Sequence, residues 1–69
     1  MRKYRYQLGT SEKIYYVLTI DDDGKMKLVF HGVDRIIEDE VELAPNTWIV
    51  GKGFMFPPLN NPRWKKIED

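Results

Sequence analysis

The 69-residue chain has no cysteine, a single histidine and no net charge, with 11 Lys plus Arg balanced by 11 Asp plus Glu. The missing thiols exclude a disulfide framework and a Cys-based zinc site, and one histidine excludes a His-rich metal cluster. No apolar run approaches the roughly 18 residues that a membrane span needs. No apolar h-region follows the charged start Met1-Arg2-Lys3-Tyr4-Arg5, so no signal peptide is read and a cytoplasmic setting is expected. No catalytic signature is present either. What the chain does have is 42% hydrophobic residues and nine aromatics among Phe, Trp and Tyr, which argues against disorder. A chain of this length makes one small domain, residues 1–69, able to bury roughly 60% of its unfolded surface.

Neutrality conceals segregation. Residues 1–20 carry Arg2, Lys3, Arg5 and Lys13 against Glu12 alone. Residues 21–43 carry eight acids against Lys25, Lys27 and Arg35, and residues 44–69 carry Lys52, Arg63, Lys65 and Lys66 against Glu68 and Asp69. Long-range steering toward nucleic acid or an anionic membrane is therefore weak, while local patches remain.

Three strands follow from parity. Tyr4, Tyr6 and Leu8 alternate with charged and polar residues, Gly9-Thr10-Ser11 supplies a turn, and Ile14, Tyr16, Leu18 and Ile20 hold the even positions of the next run. Asp21-Asp22-Asp23-Gly24 interrupts before Met26, Leu28 and Phe30 resume the alternation. Keeping each apolar set on one face predicts Ile20 opposite Met26, Leu18 opposite Leu28 and Tyr16 opposite Phe30. A three-residue loop then puts Gly24 where a left-handed residue is required. The same rule sets Leu8 against Ile14, Tyr6 against Tyr16 and Tyr4 against Leu18.

From Val33 to Ala44 a helical projection gathers Val33, Ile36, Ile37, Val41, Leu43 and Ala44 within an arc of about 160°, and Pro45-Asn46 ends the segment. The competing reading is a hairpin from Val41–Leu43 to Trp48–Val50. The helix is preferred, because Arg35 and Asp39 break strand alternation. The expected fold is α+β: a three-stranded antiparallel meander (about 2–8, 13–21 and 25–31), one helix (about 33–44) on its apolar face, a short fourth strand (about 47–51) and a Pro-rich, aromatic tail over 52–69.

Most motifs fail their own geometry. The Asp21–Gly24 run is no EF-hand loop, since Gly24 falls at position four and Gly32 at position twelve. Gly51-Lys52-Gly53 lacks the spacing of a phosphate loop. Asn46-Thr47-Trp48 is not a glycosylation sequon, and Pro58 to Pro62 is PxxxP rather than PxxP. His31 falls on the outer face near Tyr15 with no positioned nucleophile or carboxylate, so no catalytic residue, cofactor or metal is expected.

Three surfaces are candidates for binding. Phe54, Met55, Phe56, Leu59 and Trp64 combine aromatics and Met with a Pro-stiffened backbone, and form a partner-binding or self-associating patch unless they fold back onto the core. Asp34, Glu38, Asp39 and Glu42 form an acidic stripe on the expected helix. The outer sheet face carries Lys3, Arg5, Tyr15, Lys25 and Lys27 with no acid, which suits single-stranded nucleic acid. The expectation is a small non-enzymatic protein-binding module. It would be of the accessory or inhibitory kind carried by phages and mobile elements, and would act by occluding a partner protein or by pairing as a homodimer. Nucleic-acid binding is the alternative.

Overall fold

The computed structural model describes residues 1–10 and 12–68. Seven strands occupy it, and among the described residues there is no helix: β1 (Arg2–Gln7), β2 (Tyr15–Ile20), β3 (Met26–His31), β4 (Ile36–Leu43), β5 (Ile49–Gly51), β6 (Phe54–Phe56) and β7 (Trp64–Glu68). They form one antiparallel sheet in the order β6-β5-β4-β3-β2-β1-β7, curled into a half-barrel. Ser11, part of the expected Gly9-Thr10-Ser11 turn, lies outside the described residues.

The first three strands pair in the predicted register. Ile20 faces Met26, Leu18 faces Leu28 and Tyr16 faces Phe30, while Tyr6 faces Tyr16 and Tyr4 faces Leu18. The Leu8 amide donates to the Ile14 carbonyl at 3.4 Å. The three-residue Asp22-Asp23-Gly24 loop also forms, with Gly24 at φ 86°. Asp21 secures it by accepting from the Asp23 and Lys25 amides at 3.0 and 2.9 Å.

The expected α+β fold is overturned at residues 33–44, where the chain is extended. Arg35 belongs to the turn, its carbonyl accepting from Gly32 at 2.9 Å, so it never interrupts the strand. From Ile36 onward the even positions are Ile36, Glu38, Glu40 and Glu42. The odd positions are Ile37, Asp39, Val41 and Leu43. That is a period of two broken by Ile36 among the polar positions and by Asp39 among the apolar ones. A helix here would stack Asp34, Glu38 and Glu42 at i,i+4 spacing, where like charges repel. As a strand, the segment instead satisfies the open edge of β3, pairing Phe30 with Ile37 and Met26 with Val41.

The Pro-rich tail holds two strands, β6 and β7. Pro57 and Pro58 follow β6 and Pro62 precedes β7, so the prolines bound the strands and cost no ladder bond. β5 and β6 turn the apolar side of the sheet inward. Leu18, Ile20, Leu28, Val41, Ile49 and Trp64 are buried, with Tyr4, Tyr6, Tyr16, Met26, Phe54, Phe56 and Leu59 packed around them. Thus the sheet's own curl covers the apolar face that the helix was expected to cover. The two edges of the sheet meet through the Trp64 side chain of β7, whose indole N–H donates to the Pro57 backbone carbonyl, just beyond β6, at 3.0 Å. Phe56 lies 4.5, 5.6 and 6.1 Å from the rings of Tyr16, Tyr6 and Trp64. Gly51 is required locally, because a Cβ there would collide with the ring of Phe54 across the β5–β6 hairpin.

Candidate functional site

The inward side of the sheet is spent on the core, which leaves its outer side as the free surface. Register assigns its occupants. β1 contributes Lys3, Arg5 and Gln7; β2 contributes Tyr15, Val17 and Thr19; β3 contributes Lys27, Val29 and His31. β4 contributes Ile36, Glu38, Glu40 and Glu42. β7 adds Lys65 opposite Arg5 and Glu68 opposite Lys3. Val17, Thr19 and Val29 are half-buried between taller neighbours and floor an open groove of about 1050 Å³, which Lys3, Lys25, Lys27, Glu38, Glu40 and Glu42 flank.

The expectation of an acid-free outer face fails because β4 takes a place in the sheet. Its three glutamates stand beside Lys27 of β3 and Lys25 of the preceding hairpin, and Glu38 pairs with Lys27 at 3.6 Å. At the opposite edge Lys3 meets Glu68 at 3.4 Å. Both pairs are exposed, so each contributes little to stability. The result is polar in the vector sense: Arg5, Lys3 and Lys65 outnumber Glu68 on one flank, Glu38, Glu40 and Glu42 outnumber Lys27 on the other, and Val17, Thr19 and Val29 lie between.

One end of the face is built from a cross-strand stack. The Arg5 guanidinium lies 4.1 Å from the centroid of the Tyr15 ring. From the other side His31 stacks on the same ring at 4.7 Å and 12° between planes. The neighbours of Tyr15 on β1 and β3 therefore occupy both of its faces. Arg5 is further held by its donation to the Glu12 carbonyl at 3.1 Å, and its Nε is shut from water without a partner. Beside it, Arg63 and Lys65 complete a shallow notch with Gln7, Gly9 and Pro62, lined by three cations and no acid.

The other sequence candidates are dispersed. Of the aromatic patch, Trp64 is buried, and Phe54, Phe56 and Leu59 pack on the core. Met55 alone points out, 57% exposed. The acidic stripe depended on the helix and comes apart with it. Asp34 sits in the β3–β4 turn, Glu38 and Glu42 face outward, and Asp39, paired with Leu28, lies on the inward side. Lys25 flanks the groove from the β2–β3 hairpin. Glu40 and Lys65 were missed as site residues. Each is visible in the sequence only once β4 and β7 are recognised as strands. Among the described residues no helix is long and apolar enough to cross a membrane. Comparison with protein-family models, curated proteins and solved structures found no match.

Proposed function

We propose that this chain is a non-enzymatic protein-binding module that covers a surface of its partner with the outer face of its half-barrel. The observation that carries the reading is the combination on that face. An apolar floor of Val17, Thr19 and Val29, extended by Ile36 at 64% exposure, lies between flanks of opposite charge. Apolar surface at the centre with charge at the rim is how protein interfaces are composed. Opposed charges confer orientation and partner choice more than affinity. We take the setting to be the cytoplasm, where a cysteine-free domain needs no oxidising compartment.

The test is affinity capture from an extract of the cells that make the protein, comparing the wild type with Val29→Lys and with Met55→Ala. The reading expects a bound protein that Val29→Lys loses and Met55→Ala keeps. Equal capture by all three removes it.

The cation notch of Arg5, Arg63 and Lys65 keeps nucleic-acid binding as a second reading, since guanidinium groups suit phosphate. The carboxylates sharing the face and the occupied faces of Tyr15 weigh against it. A gel-shift series at low salt with no complex at micromolar protein would eliminate it.

A further inference from the structure

We infer that the partner of the outer face is a second copy of this chain. The inference rests on the reading of that face as a protein-binding surface and adds the identity of what binds.

The argument is one of symmetry. Five strands cross the face in the order β7-β1-β2-β3-β4. Arg5, Lys3 and Lys65 lie on β1 and β7, joined there by Glu68; Glu38, Glu40 and Glu42 lie on β4, with Lys27 of β3 beside them; the low floor of Val17, Thr19 and Val29 runs along β2 and β3 between. A face-to-face dimer related by a two-fold must have its axis in the plane of the interface. An axis running along the strands between β2 and β3 exchanges the two flanks. β1 of one copy then lies over β4 of the other, and the position along the strand is preserved. Arg5, Val17, Val29 and Glu38 share one row across the sheet, and Lys3, Thr19, Lys27 and Glu40 share the next. The rotation therefore sets Arg5 against Glu38 of the second copy and Lys3 against Glu40, twice over. Tyr15 and His31, which flank the axis at one end, meet their counterparts there. The face is complementary to itself, a property that a uniformly basic or acidic face lacks.

Two further observations agree. The chain has no net charge, so copies approach without long-range repulsion. The sheet edges compete poorly as self-association sites. β6 is only three residues long and is followed by two prolines, while antiparallel pairing of β7 with itself would bring lysines together. Five strands about 4.8 Å apart and six residues long define a patch of about 20 Å by 20 Å. Covering it buries about 1,000 Å² in total, at the lower limit of specific interfaces, so the dimer is a reversible one in the micromolar range or weaker.

Sedimentation equilibrium from about 5 to 500 µM tests this with the intact chain. Wild type is expected to pass from monomer to dimer within that range, with association weakened at least several-fold between 50 mM and 500 mM salt. Glu40→Lys and Lys3→Glu should each associate at least several-fold more weakly, and an equimolar mixture of the two, which sets each new charge against its opposite, should recover a heterodimer. Arg5 is left intact because it anchors the β1–β2 turn; circular dichroism checks that both variants fold. Asp23→Lys makes the same change of net charge as Glu40→Lys, but at the hairpin tip, and should dimerise as wild type does. A wild type monomeric throughout, a dimer indifferent to the face variants, or a mixture that stays monomeric overturns the inference. If the chain is monomeric but Val29→Lys still abolishes capture of another protein, the second-copy assignment falls and the protein-binding reading stands.

Discussion

Replacing Phe56 with alanine separates a core role from a surface role for the Phe54–Leu59 segment. Phe56 touches four rings, those of Tyr6, Tyr16, Phe54 and Trp64, at centroid distances of 4.5–6.1 Å. Phe→Ala in a core costs about 3–5 kcal/mol. Because Phe56 is only partly buried, the lower end applies, about 3 kcal/mol. A domain of 69 residues has about 3–10 kcal/mol in hand, at roughly 0.05–0.15 kcal/mol per residue. The variant should therefore sit near the limit of folding. With a urea slope of about 1 kcal/mol per molar, the midpoint should fall by about 3 M, or the transition should vanish. Met55→Ala, one residue earlier but facing out, should move stability by no more than about 0.5 kcal/mol. Trp64 is buried and Trp48 half-buried, so tryptophan fluorescence reports the transition, with far-ultraviolet circular dichroism as a second probe. Equal effects of the two substitutions, or a Phe56→Ala protein within 1 kcal/mol of wild type, would refute the inward assignment of Phe56 and the covering of the core by β6.

Three further outcomes are expected. Gly51→Ala should displace the Phe54 ring and cost about 1–3 kcal/mol by overpacking, read by the same urea titration; a neutral result would mean that Phe54 does not lie across the hairpin. Thr47→Gly should stabilise by about 0.5–1 kcal/mol, because Thr47 holds φ 69° in a loop built like the one that Gly24 closes; a lower thermal midpoint would contradict that. Trp64→Phe should cost about 1–2 kcal/mol by leaving the Pro57 carbonyl without its donor; no change would show that the bond between the edge strands contributes nothing.

Legibility in this sequence followed the apolar alternation. Where one face is apolar at every second position, as from Tyr4 to Phe30, register follows from chemistry, because a one-residue slip exposes the whole set. It was lost at β4, where Asp39 occupies an inward position and acids fill the outward ones, and where Val33 and Arg35, turn residues, mimic a helical start. β6 escaped notice because it is short and followed by proline, which reads as loop without a partner in view, while Trp64 to Ile67 in β7 reads from sequence as either a last edge strand or a loose tail. The site inherited both errors. Lys3, Arg5, Tyr15 and Lys27 were placed correctly on the outer side. Their acidic counterparts were assigned to a helix that would have covered the opposite side, so the charge of the whole face was misjudged. The aromatic segment was ambiguous for a different reason. Aromatics and Met are what both cores and interfaces use, and only the curl of the sheet decides between them.

The pairing of β1 with β7 also imposes an order in time. Every other pairing joins strands consecutive along the chain and can zip up from its turn, whereas this one must close a loop of nearly the whole chain at a corresponding entropic cost. Trp64, on the last strand, is one of six buried apolar side chains among the described residues. During synthesis the preceding six strands have to wait, with an unfilled centre, until residues 64–68 leave the ribosome. For that interval the nascent meander is the species most exposed to misassembly, and completion of the shell is the step that ends it.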